Sequence, residues 1–242
     1  GQFTNAGSGT IYIGRGPQSD PNAPAADVAV NQGSLTAGIT VNGNATAVNQ
    51  GNITIGSRTQ NAAAIVVNNA PNATVTNSGT IDINGRAATV PRENDGILAI
   101  NSDAGGISNT GTINLNGVNG VGIKVLSTNA SASTASSSGV INVAGGADPG
   151  SGTRNFGVWV EGQASGTATA DVSGAVNLLG DGAIGIHARG RATVDVLAGA
   201  VPHFASGSKQ IAFFAYGTNA RINVASTALD VTTAGSTLFR VE

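Results

Sequence analysis

The sequence predicts an all-β protein: a right-handed parallel β-helix with three short strands per coil and about eight coils. Glycine fills 36 of the 242 positions and Asn and Thr are abundant, a composition that favours turns and strands over long helices. Only 10% of the residues are charged, less than half of the roughly 25% in an average soluble domain. Three strand-like phrases also recur in a fixed order, and none of them can bury an apolar face alone. In a stack of coils, the neighbouring strands cover the apolar face of each strand.

A phrase built on Asn-x-Gly marks one turn of each coil and is followed by a strand. Its clearest copies are NQGNITI from Asn49, NSGTIDI from Asn77 and NTGTINL from Asn109. NQGSL from Asn31 is interpreted as the preceding copy, and its interval of 18 residues to Asn49 predicts a coil with almost no loop. Asn tolerates left-handed backbone, and stacked Asn side chains can bond to one another. We therefore expect an asparagine ladder at this turn.

A second phrase, Gly-Ile-x-Val, supplies another strand, as in GITV at Gly38 and GIKV at Gly122. Side chains alternate between the two faces of a strand, so its second and fourth residues are predicted to point inward. In this phrase the inward pairs are Ile39/Val41, Ile65/Val67, Ile97/Ala99, Ile123/Val125, Val158/Val160, Ile186/Ala188, Phe213/Ala215 and Phe239/Val241. After the Asn-x-Gly turn they are Ile53/Ile55, Ile81/Ile83, Ile113/Leu115, Ile141/Val143 and Val176/Leu178.

A third, fainter phrase precedes the Asn-x-Gly turn, as in ATAV at Ala45 and TADV at Thr169. A β-sandwich is the main alternative for so many short strands. The fixed order of the phrases and the concentration of insertions at one corner favour the β-helix. Residues 1–242 are predicted to form a single domain, a fragment of a longer protein.

The outward positions of two of these strands differ in chemistry. After the turn they are polar, which predicts a wet face. In the Gly-Ile-x-Val strand they include the only Trp, one of the two His and several apolar side chains. The polar positions are Thr54, Asp82, Asn114, Asn142 and Asn177. The second set, the outer column, consists of Thr40, Val66, Leu98, Lys124, Trp159, His187, Phe214 and Arg240.

The outer column is the main candidate binding surface. An apolar stripe on a charge-poor solenoid suits a glycan, a partner protein or a second copy of the chain. The alternative is that a long loop folds over the stripe and forms a satellite core. The candidate binding residues are Lys124, Trp159, His187, Phe214 and Arg240.

Inserted segments provide a second candidate surface, because loops at one edge of a solenoid often carry recognition. Charges also collect in loops simply because strands exclude them. A separate low-complexity stretch, 127–139, is predicted to be a mobile loop. The candidate loop-edge residues are Arg15, Arg58, Arg86, Arg92, Arg154 and Lys209.

Several classes of function are disfavoured by the composition. A net charge of −2 cannot supply the basic surface that nucleic acid requires, and no run of ~18 apolar residues suits a membrane helix. Without Cys there is neither a thiolate nucleophile nor a Cys-based zinc site. No dense acidic cluster suits calcium, so we expect no metal and no cofactor.

Glycoside hydrolysis needs two carboxylates on one face, and two pairs were considered: Glu93/Asp95 in a loop and Asp171/Asp195 on successive coils. Arg residues lie near Asp171 and Asp195 in the sequence, and they could pair with these carboxylates as ordinary surface ion pairs. Neither of the two His has a plausible Ser/Asp constellation. The chain is therefore predicted not to be an enzyme, and a polysaccharide lyase or hydrolase is the alternative.

The Asn-x-Gly-Thr-Ile copies at Asn77 and Asn109, the Gly-Ile-x-Val copies and the Cys-free Gly/Asn/Thr composition resemble the β-helical passenger domains of Gram-negative autotransporters of the monomeric type. The resemblance is architectural and covers nearly the whole chain. It implies export through a C-terminal β-barrel outside this segment, and a location at the cell surface or in the medium. It also implies adhesion to a glycan or protein of a host or neighbouring cell, or self-association. An inert stalk that displays another domain is a further alternative.

Overall fold

The computed structural model describes residues 1–14, 35–57, 59–85, 93–103, 106–148, 152–225 and 228–242. These residues form a parallel β-helix with three strands per coil, as predicted, and it has about seven turns where about eight coils were expected. The described part of the chain contains 23 strands and no helix. It accordingly offers no helical segment of the length and apolarity needed to cross a membrane.

The strands, numbered β1 to β23 in chain order, form three parallel sheets in which each strand pairs with its counterparts in the adjacent coils. Sheet A contains β1 (Gln2–Asn5), β4 (Thr46–Asn49), β7 (Thr74–Asn77), β10 (Gly106–Asn109), β13 (Ala132–Ser137), β16 (Thr167–Val172), β19 (Ala192–Val196) and β22 (Arg221–Val224). Sheet B contains β2 (Thr10–Ile13), β5 (Asn52–Ile55), β8 (Thr80–Ile83), β11 (Thr112–Leu115), β14 (Val140–Val143), β17 (Val176–Leu178) and β20 (His203–Phe204). Sheet C contains β3 (Thr36–Val41), β6 (Ala62–Asn68), β9 (Asn94–Ile100), β12 (Gly120–Ser127), β15 (Phe156–Gly162), β18 (Ile184–Gly190), β21 (Ile211–Tyr216) and β23 (Thr237–Val241).

The interior is a continuous aliphatic core, and the predicted inward pairs are buried from Ile39/Val41 to Ile186/Ala188. All the pairs predicted after the Asn-x-Gly turn are buried as well. The last coil differs because β23 is the edge strand of sheet C. There Phe239 stacks on Phe213 with ring centroids 5.1 Å apart, but Phe239 is 50% exposed and Val241 is 80% exposed. Both residues keep the predicted inward register, opposite Phe213 and Ala215 on β21, but neither side chain is buried.

A buried row of amides, the inner ladder, runs along the turn between sheets A and B. Asn5 Nδ2 donates to Asn49 Oδ1 at 2.7 Å, Asn49 to Asn77 at 2.6 Å and Asn77 to Asn109 at 2.7 Å. Asn109 Nδ2 then donates to Ser137 Oγ at 3.3 Å. These bonds satisfy polar groups that would be costly to bury unpaired. The predicted ladder is confirmed at Asn49, Asn77 and Asn109.

The inner ladder begins at Asn5 and not at Asn31. Strand β5 pairs directly with β2, and Ile53 lies opposite Ile11. Asn5 therefore occupies the ladder position before Asn49, and the prediction that the Asn31 copy opens its own coil is wrong. Asn31 itself lies outside the described residues, in the connection between β2 and β3.

Glycine is required after each ladder asparagine by the close approach of successive turns. A Cβ at Gly79 would collide with the carbonyl oxygen of Gly51, and one at Gly111 would collide with that of Gly79. The repeated glycines are therefore fixed by backbone stacking.

A second row of amides, the outer ladder, covers the solvent side of sheet B. Asn177 Nδ2 donates to Asn142 Oδ1, Asn142 Nδ2 to Asn114 Oδ1, and Asn114 Nδ2 to Asp82 Oδ1, each at 2.8 Å. These side chains are half-buried. The predicted polar face is confirmed, and its members bond to one another.

The low-complexity stretch is ordered as part of sheet A. Strand β13 pairs with β10 on one side and β16 on the other. Ser133, Ala135 and Ser137 are buried, because small side chains fill the interior at this corner. The prediction of a mobile loop is wrong for Ala132–Ser137.

Candidate functional site

The outer column is a single row across sheet C, as predicted. Lys124 lies beside Trp159, Trp159 beside His187, His187 beside Phe214, and Phe214 beside Arg240, each pair on neighbouring strands. The same row continues in the other direction through the remaining members of the column. The period of two residues along each strand therefore located these side chains correctly.

Four of the eight side chains of this column are buried, and they are Val66, Leu98, Trp159 and His187. Val66 and Leu98 form an apolar cluster with Ala63 that is separate from the interior core. Trp159 is only 8% exposed and His187 only 4%. This is the satellite core that formed the alternative interpretation. The column opens to solvent at its C-terminal end, where Phe214 is half-buried and Arg240 is exposed.

Phe156, which the sequence analysis did not place on this face of sheet C, packs against the outer column. Its ring lies 4.6 Å from the Trp159 ring and 5.5 Å from the His187 ring, measured between centroids. Strict alternation would place Phe156 on the opposite face from Trp159, three residues later. The intervening Gly157 contacts the neighbouring coil so closely that a Cβ there would lie 2.7 Å from the Gly185 carbonyl oxygen.

Trp159 is held by polar contacts on two sides. Its Nε1 donates to Glu161 Oε2 at 3.1 Å, and Lys124 Nζ lies 5.0 Å from its ring centroid, within the range of a cation–π contact. Lys124 also forms an ion pair with Glu93. Burial lowers the pKa of Lys124 to about 8, while the charge of Glu161 acts in the opposite direction. The ammonium therefore remains the main form at neutral pH.

His187 connects the two aromatic residues of the column. Its ring centroid lies 5.0 Å from that of Trp159 and 4.6 Å from that of Phe214. Nδ1 donates to the Phe214 carbonyl oxygen at 3.0 Å. Burial lowers the pKa of His187 to about 4, so the imidazole is neutral at pH 7. The ring therefore acts as a packing residue that positions Phe214.

A groove of about 390 Å³ opens beside the exposed end of the column. Four residues singled out in the sequence line it: Arg154, Trp159, Phe214 and Arg240. Phe156 is also part of its wall. Lys124 and His187 contact Trp159 from either side but are not part of the lining described for the groove. We take this groove as the candidate site.

Charges at the rim of the groove are mostly paired. Arg240 Nε donates to Glu242 Oε1 at 2.7 Å, and its guanidinium lies 5.2 Å from the Phe214 ring centroid. Arg154 is half-buried. It forms no ion pair with an acidic residue among those that the structure describes.

The other loop-edge candidates do not join this site. Lys209 is exposed, has a positive φ of 54° and is not among the residues that line the groove. The remaining four, Arg15, Arg58, Arg86 and Arg92, lie outside the described residues.

The carboxylate pairs occupy two different environments. The placement in a loop is right for Glu93, which comes just before β9, and wrong for Asp95, which belongs to β9. Both side chains are buried. Burial raises the pKa of Asp95 well above its usual range. Asp171 and Asp195 lie opposite each other on sheet A, as expected, and Asn223 Nδ2 donates to Asp195 Oδ1 at 2.7 Å.

Sequence reasoning missed Phe156, Glu161 and Glu242. A signal existed for Glu161, because it follows Trp159 by two residues and alternation places both on one face. Phe156 carried no such signal, since the position before each Gly breaks the alternation. In the described part of the chain, no group of three or more His, Asp or Glu residues is arranged to hold a metal ion.

The groove has the volume of a small-ligand site, within the usual range of about 300–1,000 Å³. Its aromatic wall can contact an apolar ring face, Arg154 and Glu242 supply hydrogen-bonding groups, and the buried Asn119 is also part of the lining. These groups suit a sugar ring better than a purely apolar ligand. Comparisons with known protein families, curated proteins and solved structures found no match to this chain.

Proposed function

We propose that this chain is a non-enzymatic adhesion module, a segment of an autotransporter passenger at the bacterial cell surface, and that it binds a surface glycan through the groove. The observation that carries the proposal is the half-buried Phe214 ring beside the hydrogen-bonding groups of Arg154 and Glu242. A sugar ring presents an apolar C–H face and a rim of hydroxyl groups, and the groove offers a counterpart to each.

The rigidity of the scaffold supports a binding role. Phe214 lies on a strand rather than a loop, and His187 packs against its ring and bonds to its carbonyl oxygen. Trp159 is fixed in turn by Glu161 and Phe156. Side chains fixed by packing lose little conformational entropy on binding, which favours affinity.

The surface location rests on the resemblance of the repeat and on the composition. A chain without Cys suits export in an unfolded state, and Asn, Thr and Ser cover most of the strand surface.

Binding to immobilised glycans and to whole cells tests the proposal, with the purified chain compared with Phe214→Ala. The matched control is Tyr12→Ala, because Tyr12 is 51% exposed on sheet B, far along the chain from the groove. We expect Phe214→Ala to lower the affinity at least tenfold and Tyr12→Ala to leave it unchanged. Equal losses in both variants, or no binding of the parent protein to any glycan or cell, would contradict the proposal.

A polysaccharide-active enzyme is the second candidate, favoured by the opposed carboxyl groups of Asp171 and Asp195. Such an enzyme would cleave acidic or neutral polysaccharides and would lose that activity in Asp171→Asn and Asp195→Asn. Product release that both variants abolish would support this candidate over adhesion. Binding without any product formation would support adhesion.

A further inference from the structure

We infer that the groove selects saccharides that carry a carboxylate, such as those containing uronic or sialic acids, and that Arg154 binds this group. The inference rests on the proposed function and names the class of ligand. It follows from the balance of charges around the groove, from the way Arg154 is held and from the groups that face it.

The cations near the groove have carboxylate partners, with one exception. Lys124 pairs with Glu93 and Arg240 with Glu242. Arg189 Nη1 lies 3.7 Å from Glu161 Oε1. Among the described residues, Arg154 has no such partner. Within the described part of the chain, Arg154 is therefore the one cation in the lining of the groove without an acidic partner, although the whole chain has a net charge of −2.

Arg154 is attached to a firmly bonded segment. The next residue, Asn155, is buried, and its Oδ1 accepts from the Gly120 amide at 2.7 Å. Asn155 Nδ2 donates to the carbonyl oxygens of Gly117 and Gly145, both at 2.8 Å. These three side-chain hydrogen bonds hold Asn155, and with it the backbone from which Arg154 projects. The guanidinium is therefore presented to the groove from a defined position.

The chemistry of the rim favours a carboxylate over a more highly charged group. A guanidinium matches the two oxygens of a planar carboxylate with parallel N–H donors. The Glu242 carboxylate also lines the groove, and it would repel a ligand with several negative charges. A singly charged sugar acid neutralises Arg154, while its ring reaches the aromatic wall at Phe156 and Phe214.

The experiment compares matched saccharide pairs by calorimetric titration of the purified chain. Each pair contains one oligosaccharide with a uronic or sialic acid and its carboxyl-reduced or desialylated counterpart, together with an O-sulfated relative. We expect the carboxylated member of at least one pair to bind at least tenfold more tightly than its neutral counterpart. This difference is expected to shrink with added salt, because the interaction is electrostatic.

Three variants identify the residue responsible. Arg154→Gln is expected to abolish the preference for the carboxylated member, and Arg154→Lys to retain part of it. Arg221→Gln is the control, since Arg221 is exposed on sheet A, on another face of the solenoid. It is expected to leave the preference unchanged. Circular dichroism and thermal unfolding establish that each variant folds like the parent.

The possible failures are distinguishable. Equal affinity for both members of every pair, or a preference retained in Arg154→Gln, overturns the inference and leaves glycan adhesion standing. Tighter binding of the sulfated relatives overturns the carboxylate assignment. The absence of binding to all the saccharides contradicts the proposed function as well.

Discussion

The outer faces of sheets B and C are both built on stacked parallel strands, yet they differ in burial and in chemistry. On sheet B the outer ladder is half-buried, and its side chains bond to one another. On sheet C the side chains of Val66, Leu98 and Trp159 are buried outside the main core. The strands alone do not account for this difference.

Described residues in the connections from sheet B to sheet C contribute to it. Two of these connections link β8 to β9 and β14 to β15. They bring Glu93 against Lys124 and Arg154 against the groove. A β-helix can therefore carry a self-satisfied polar face and a partly covered aromatic face one beside the other, and binding groups arise where the cover ends.

Truncation of the buried aromatic residue on sheet C is expected to have the largest effect. Trp159→Ala removes the ring that packs on Phe156 and His187 and leaves the Glu161 carboxylate without its N–H donor. We expect a loss of about 4 kcal/mol in the free energy of unfolding, measured with urea. The control is Tyr216→Ala on the same sheet, where the side chain is 44% exposed and the expected loss is below about 1 kcal/mol. Equal losses would mean that the sheet C face is open to water.

Acid is expected to weaken the sheet C face through His187. Its pKa is about 4 in the folded protein, against an ordinary value of 6.5. The unfolded chain therefore takes up a proton first, and stability falls as the pH falls from 6.5 to about 4. The difference between the two pKa values corresponds to a loss of about 3 kcal/mol in the free energy of unfolding.

The pH effect is measured as the difference in unfolding free energy between the parent and His187→Gln from pH 7.5 to pH 4. Burial raises the pKa of Asp95, so its contribution to stability increases as the pH falls, but it is common to both proteins and cancels. A difference that does not change with pH would show that His187 is accessible to protons in the folded state.

The outer ladder on sheet B is expected to tolerate truncation best. Asn142→Ala breaks two hydrogen bonds, but water can replace them at Asn114 and Asn177 because these side chains are half-buried. We expect a loss below about 1 kcal/mol. Asn77→Ala in the inner ladder is the matched comparison, and its expected loss of about 3 kcal/mol reflects two buried partners left without water. Similar losses at both positions would mean that burial does not distinguish the two ladders.

The repeated phrases and the alternation of side chains were enough to predict the repeat, the three strands per coil and the rows of side chains that cross each sheet. Alternation placed Trp159, His187 and Phe214 in one column because it depends only on strand geometry. It could not predict their burial, because contacts such as the ion pair of Glu93 with Lys124 come from residues outside the repeated phrases. For the same reason Arg154 was grouped with Lys209, although only Arg154 lines the groove.

Other errors came from residues whose local preference is ambiguous. Asn31 and Asn5 both precede a glycine-containing turn, and only the pairing of β5 with β2 distinguishes them. The Ser/Ala stretch of β13 has the composition of a linker, and packing from β10 and β16 makes it a strand. Asp95 was placed in a loop because a carboxylate is rarely buried, yet it lies within β9.

The inner ladder also has a mechanical meaning. Its partners are 44, 28, 32 and 28 residues apart along the chain, and the bonds between coils point along the solenoid axis. Tension between the two ends would therefore peel the protein one coil at a time, and a coil of 28 residues would release roughly 100 Å of chain. The connections that build the groove lengthen some of these steps. The segments that hold a ligand would thus also set how far the protein extends under load before the next coil yields.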